Sequence, residues 1–165
     1  VVLKELLDEV TLTLTPALKR SPVALEIDVP GTIWIDSYPG ELGQVITNLV
    51  ENAITHAFHD KDGGRIAITA VQTSEDIVTI DLSDDGTGMT PDVARKAFDP
   101  FFTTALGKGG TGLGLYIVHR TVETVLGGTV TLKSKIGKGT AFKLEIPVQA
   151  PTAENPRFGE NMQVT

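Results

Sequence analysis

Residues 98–115 gather an aromatic cluster, a hydroxyl pair and a glycine run into one segment. Phe98, Phe101 and Phe102 come first, then Thr103 and Thr104, then Gly107, Gly109, Gly110, Gly112 and Gly114. An apolar run with helical spacing follows over residues 113–126. This feature constrains the fold most, because the chain must deliver a bare backbone to the start of a helix. Glycines let amide N–H groups approach an anion closely, and a helix N-terminus adds partial positive charge there. Taken alone, the same run equally fits a surface loop before an ordinary helix.

Length and composition narrow the setting. A chain of 165 residues is most simply one domain with a full core. Residues 1–149 are expected to form it, with 150–165, rich in polar residues and prolines, as a disordered tail or linker. The sequence has no cysteine, which removes disulfides, thiolate metal sites and cysteine nucleophiles and fits a reducing compartment, so the cytoplasm is the expected location. Residues 1–10 carry Lys4, Glu5, Asp8 and Glu9 among apolar residues, unlike a signal peptide or a membrane span. No other stretch is apolar for long enough, so no direct membrane contact is expected. The formal net charge of -7 argues against non-specific binding to nucleic acid or anionic lipid. A polyanionic ligand would need local compensation from backbone amides, one or two lysines or a metal ion.

Periodicity predicts an amphipathic helix over residues 2–18, with Pro16 in its last turn. Residues 23–29 alternate, and Pro30-Gly31 turns into residues 32–35, which predicts a short hairpin. A second helix is expected over residues 41–58, its apolar stripe formed by Leu42, Val45, Ile46, Leu49, Val50, Ala53 and Ala57. Strands follow at 65–71 and 77–82, then the glycine-rich segment and the helix over 113–126. Gly127-Gly128 ends that helix, and 130–133 with 142–146 make a last hairpin. The order predicts an α+β two-layer sandwich: a mixed, largely antiparallel sheet covered on one face by about three helices.

Three further motifs bear on chemistry. Opposite the apolar stripe of the second helix, Gln44, Asn48, Asn52 and His56 fall at i, i+4 spacing, flanked by Glu51 and Thr55. A merely solvated face would be filled with Lys, Glu and Arg, yet this helix has neither Lys nor Arg and places two asparagines mid-helix. An asparagine amide oxygen is a hard, neutral ligand suited to a magnesium ion that leans on substrate phosphates, and Asn52 is the best candidate. Asp84-Asp85-Gly86-Thr87-Gly88-Met89 follows an apolar strand. A carboxylate at a strand end can accept a hydrogen bond from an exocyclic amine of a buried base, although Asp-Gly is also a common turn dipeptide. Gly137-Lys138-Gly139-Thr140 is a hairpin loop, and Lys133, Lys135, Lys138 and Lys143 around it read as a solvated strand face.

Other glycine-rich families fail on particulars. Residues 107–112 match GxGxxG, but no clean strand precedes them and no acidic residue lies between Glu123 and Glu145 for a ribose, so a dinucleotide fold is rejected. The P-loop pattern GxxxxGK[ST] and the HRD and DFG motifs of eukaryote-type protein kinases are absent from the sequence.

The motifs, in this order, resemble the catalytic ATP-binding domain of bacterial two-component sensor histidine kinases, within the wider family that includes gyrase, Hsp90 and mismatch-repair ATPases. Residues 48–53 look like the N box, 84–88 the first glycine box, 98–102 the F box, 110–115 the second glycine box and 137–142 the third. The resemblance covers roughly residues 2–147 and implies the histidine-kinase ATPase fold with a lid over the triphosphate formed by residues 98–114. It implies ATP and Mg2+ as cofactors, with Asn48, Glu51 and Asn52 as catalytic positions and Asn52 as the metal ligand. Asp84 would take the adenine amine, Gly86, Gly88 and Met89 would shape the base pocket, and Thr140 would lie beside the base. Asn48, Asn52, Thr55, His56, Thr103, Thr104, Lys108, Gly109, Gly110, Thr111, Gly112, Leu113 and Gly114 would complete the nucleotide site, with Lys108 as the lid's cation.

Many such kinases carry Lys where this sequence has Thr55, which shifts weight to Lys108. His56 stands where an aromatic ring often packs beside adenine, and with Ala57 and Phe58 it is also similar to anti-sigma-factor serine kinases. Serine kinases and clamp ATPases of the wider family, the alternative reading, usually have a catalytic glutamate at position 48. This sequence has Asn48, which favours the type whose nucleophile is an imidazole supplied by another domain. His56, His59 and His119 are its only histidines, and His59-Asp60 runs into Lys61-Asp62-Gly63-Gly64 rather than along a helix. The expected partners are therefore a histidine-bearing dimerisation domain, upstream or separate, and then a response regulator, with no nucleic acid. The isolated domain is expected to be a monomer, and its parent protein can be membrane-anchored.

Overall fold

The computed structural model describes residues 1–58, 63–102 and 113–152. Helix α1 (Leu3–Lys19) leads to strand β1 (Val23–Asp28), helix α2 (Pro39–Asn52), and strands β2 (Gly64–Gln72) and β3 (Ile77–Asp84). A short helix α3 (Pro91–Lys96), helix α4 (Gly114–Thr124) and strands β4 (Thr129–Lys135) and β5 (Gly139–Pro147) complete it. The sheet order is β1-β2-β3-β5-β4, with β1 parallel to β2 and the other pairs antiparallel. One sheet face is apolar and buried with Leu3, Leu7, Leu42, Ile46, Leu49, Val118 and Val122 of α1, α2 and α4. The other face carries Thr69, Asp81, Lys133, Lys143 and Glu145, so hydrophobic and polar residues alternate along the strands as a one-sided antiparallel sheet requires. The expected α+β two-layer sandwich, mixed and largely antiparallel, is the fold observed.

Several expectations are corrected. Residues 23–29 and 32–35 do not form a hairpin. β1 instead pairs with β2, Leu25 opposite Ile66, and a parallel pair needs a crossover, which α2 supplies. Val29, Ile33 and Ile35 are all buried, and the backbone at 33–36 bonds to Val1, Leu3 and Val148. Core contact thus outweighs the local turn signal at Pro30-Gly31. The second helix begins at Pro39 and passes after Asn52 into a π-helical turn, Ala53–Ala57. Helix α3 was not expected. Thr90 caps it by accepting from Val93 N at 3.3 Å and Pro91 opens it, but it buries no residue, so it leaves no apolar stripe to read.

The chain after β5 is also tied down. Tyr38 Oη donates to Pro151 O at 2.9 Å, Ala150 N donates to Asp36 O at 2.8 Å, and Ala150 is buried. Packed chain therefore extends through Pro151, past the expected boundary at 149; residues 153–165 lie outside the described residues.

Candidate functional site

The inward face of the sheet changes character at one end. Two successive rows across β2, β3, β5 and β4 are wholly apolar: Ala70, Ile80, Leu144 and Val130, then Ile68, Leu82, Phe142 and Leu132. The next row is Ile66, Asp84, Thr140 and Ser134. Three polar side chains thus sit side by side where alternation demands apolar ones, and Asp84 and Thr140 are buried. A buried carboxylate must be hydrogen-bonded. Asp84 Oδ1 accepts from Gly86 N at 2.9 Å and from Thr140 N at 3.3 Å. Its neighbour Asp85 serves the scaffold instead, its Oδ1 accepting from Arg65 N at 2.8 Å.

The loop after Asp84 is locked from two sides. Thr87 N donates to Ala57 O, at the end of the π-helical turn, at 2.8 Å, and a side chain on Gly86 would overlap the backbone of Ala57. On the other side Gly137 N donates to Thr87 O at 2.9 Å and Met89 N to Ser134 Oγ at 2.8 Å. Gly88 and Gly139 have φ of 73° and 93°, and a Cβ on either would strike a carbonyl, Lys135 O or Asp84 O. Gly86, Gly88 and Gly139 are thus backbone packing positions that hold the carboxylate in place.

Helix α2 carries the amide face. Gln44 Nε2 donates to Asn48 Oδ1 at 2.9 Å; Asn48 and Asn52 are half-buried, and Glu51 is exposed. The i, i+4 line holds from Gln44 through Asn52. Beyond it, exposed Thr55 and half-buried His56 lie in the π-helical turn. Leu113 is the N-cap of α4 and Gly114 its first residue, with open space where a Cβ would stand. The expected lid residues Thr103, Thr104, Lys108, Gly109, Gly110, Thr111 and Gly112, and the loop residue His59, lie outside the described residues.

The structure thus brings Asp84, Gly86, Gly88, Met89 and Thr140 together and ties them to the end of the helix bearing Asn48 and Asn52. It adds Ala57 and Ser134, which sequence reading missed. Ser134 had a signal: Val130, Leu132 and Ser134 share one phase of β4, and only the last is polar. A buried carboxylate held by backbone amides beside a glycine loop is chemistry that suits a base with an exocyclic amine. Among the described residues no three His, Cys, Asp or Glu side chains could together hold a metal. The amide oxygens of Asn48 and Asn52 are hard, neutral donors of the kind that fit a cation bound mainly through water and phosphate oxygens.

Residues 37–150 match the family described as Histidine kinase-, DNA gyrase B-, and HSP90-like ATPase. Over 116 residues, 70% of the chain, it is 38% identical to sporulation kinase E of Bacillus subtilis, of whose length it spans 15%. The catalytic domain of histidine kinase ThkA superposes with a TM-score of 0.75 at 28% identity, covering 90% of this chain and 94% of that one. Full-length ShkA, solved in complex with AMPPNP, superposes with a TM-score of 0.74 at 26% identity over 93% of this chain and 31% of that one. The chain belongs to the histidine kinase-, DNA gyrase B- and HSP90-like ATPase family, as a catalytic domain of the sensor histidine kinase type.

Proposed function

We propose that this domain binds ATP with Mg2+ and donates the γ-phosphoryl group to a histidine on a dimerisation domain, from which it passes to a response regulator. The observation that carries the reading is the buried Asp84 carboxylate, fixed by Gly86 N and Thr140 N beside a glycine-walled loop. AMPPNP binding by ShkA and the complex of ThkA with response regulator protein TrrA support it by similarity. Asp84 accepts the adenine amine, Gly86, Gly88 and Met89 wall the base, and Thr140 lies beside it. Asn48, Glu51 and Asn52 form the catalytic set. Asn48 supports the phosphates and Asn52 offers its amide oxygen to Mg2+, which when bound neutralises phosphate charge.

In the transfer, an imidazole nitrogen bonds to the γ-phosphorus while the bond from that phosphorus to the β–γ bridging oxygen breaks, leaving ADP. Such chemistry needs mainly positioning and charge neutralisation, and no general base from this chain. Asn48 stands where a hydroxyl-activating glutamate would otherwise be expected. Thr55, His56, Leu113, Gly114 and residues 103–112, Lys108 among them, complete the proposed nucleotide contacts. The proposed setting is the cytoplasm, with the domain itself a monomer. Among the described residues no helix is long and apolar enough to cross a membrane.

Calorimetric titration with Mg-AMPPNP tests the binding step. Saturable heat that disappears without Mg2+ and in Asn52→Ala is expected, and no heat from the wild-type chain overturns the reading. Incubation with a histidine-bearing dimerisation domain and labelled ATP tests the transfer. Acid-labile label on its histidine is expected, whereas acid-stable phosphoserine would assign the chain to the serine kinases.

A further inference from the structure

We infer that Ser134 is a positioning residue for base selection: its hydroxyl sets the Thr140 hydroxyl as a donor beside Asp84, so that the pocket takes adenine and rejects guanine. The inference deepens the nucleotide-site reading above and rests on it. Ser134, Thr140 and Asp84 occupy one row across β4, β5 and β3, so their side chains point to the same face. Ser134 Oγ lies 2.7 Å from Thr140 Oγ1 and 3.1 Å from Gly139 O, and it accepts from Met89 N at 2.8 Å. One side chain therefore links the loop that follows Asp84 to the hairpin that carries Thr140.

A serine hydroxyl has one proton and two acceptor sites. Met89 N–H takes one acceptor site, which leaves two arrangements. If Ser134 donates to Gly139 O, its remaining acceptor site draws the Thr140 proton inward, and Thr140 offers only lone pairs to a ligand. If Ser134 donates to Thr140 Oγ1, the Thr140 proton is released outward. Thr140 pairs with Asp84 across the strands and is tied to it through its own N–H, which sets its hydroxyl on the same face of the sheet as the carboxylate.

A carboxylate acceptor beside a hydroxyl donor complements the adenine edge, where an amine donor adjoins a ring nitrogen acceptor. Guanine presents the reverse, a carbonyl acceptor beside a ring N–H donor, and leaves both protein groups unpaired. A site that hydrogen-bonds its ligand discriminates strongly on that ground. The second arrangement is thus the one that selects adenine, and it needs a donor at position 134.

Calorimetric titration of the whole chain with Mg-ATP and Mg-GTP tests this in Ser134→Ala, Ser134→Cys and Ser134→Thr, alongside thermal melting. Wild type is expected to prefer ATP. Ser134→Ala should reduce the ATP-to-GTP affinity ratio at least fivefold and Ser134→Thr restore it to within twofold of wild type. Ser134→Cys keeps the volume with a weak donor, so it reports if the alanine variant fails to fold, and it too should lower the ratio. Leu132→Ala, on the same strand, should lower the melting temperature and leave the ratio alone. A ratio within twofold of wild type in folded Ser134→Ala, or in Ser134→Cys if the alanine variant does not fold, overturns the inference, whatever happens to the melting temperature. No binding of either nucleotide by wild type would instead remove the nucleotide reading itself.

Discussion

Residues 85–89 and residues 97–102 are held in opposite ways. Along residues 85–89 the backbone amides of Asp85, Gly86, Thr87 and Met89 donate to Arg65, Asp84, Ala57 and Ser134, groups spread over β2, β3, the π-helical turn and β4. Along residues 97–102 the amides of Ala97, Asp99 and Phe102 donate only three residues back, to Ala94, Lys96 and Asp99. The second segment meets the core through buried Ala97 and through Phe98, whose ring lies 5.4 Å from His119 and 6.2 Å, edge-on, from Phe142. Tertiary hydrogen bonds make a wall that cannot move without breaking the sheet. Local turns held by one ring and one buried alanine rest on fewer long-range ties. On the proposed function, a base pocket calls for the first kind and a lid over phosphates for the second.

The largest test of this contrast is Gly139→Ala. Its φ of 93° and the collision of any Cβ with Asp84 O combine backbone strain and overpacking. Together these cost about 3 kcal/mol or more. Thermal melting should show a fall on the order of 10 °C for a domain of this size. A drop of only a degree or two would mean that the base-side wall yields, and the contrast fails.

Next comes Asp84→Asn, which keeps shape but replaces an acceptor-only carboxylate with a group that also donates. Hydrogen bonds to charged groups contribute about 1.5–3 kcal/mol, so Mg-ATP affinity should fall roughly 10- to 100-fold. Calorimetry reads it, and unchanged affinity would remove Asp84 from the base pocket.

The fold was largely legible in advance and the site partly so, for reasons particular residues make plain. Inward phases such as Ile66, Ile68 and Ala70 declare a half-buried strand whatever its partner is. The parallel pairing of β1 could not be read that way, since Leu25 opposite Ile66 is set by a crossover rather than a turn. The π-helical turn inserts one residue among Ala, Ile, Thr and His, which carries no compositional mark. Asp84 and the glycines stood out because charge and backbone freedom are visible in letters. Ser134 was marked only by its place in the inward phase of Val130 and Leu132, a signal that the lysines on either side of it obscure.

Phe98→Ala probes the other wall. A half-buried ring with two aromatic neighbours contributes about 2 kcal/mol from burial and ring contact. Melting should fall by less than in Gly139→Ala, and the ATP-to-GTP ratio should stay at the wild-type value. A change in that ratio would show the two walls to be coupled, and a melting loss equal to that of Gly139→Ala would show them to be equally rigid.

The smallest effect is expected at Phe101, and its sign matters more than its size. Phe101 has φ of 64° and is 74% exposed, so it bears backbone strain without the compensation of burial. A side chain in the left-handed region costs roughly 1–2 kcal/mol, while glycine forfeits about 0.5–1 kcal/mol of chain entropy. Phe101→Gly should therefore leave the isolated domain equally stable or more stable by up to about 1 kcal/mol, a gain of a few degrees at most. If Phe101→Gly instead lowers the melting temperature, the ring is packed in solution and the lid-side wall is firmer than its local hydrogen bonds imply. If stability holds but phosphotransfer to the histidine-bearing domain slows while AMPPNP affinity does not, the exposed ring belongs to the docking step rather than to the nucleotide pocket.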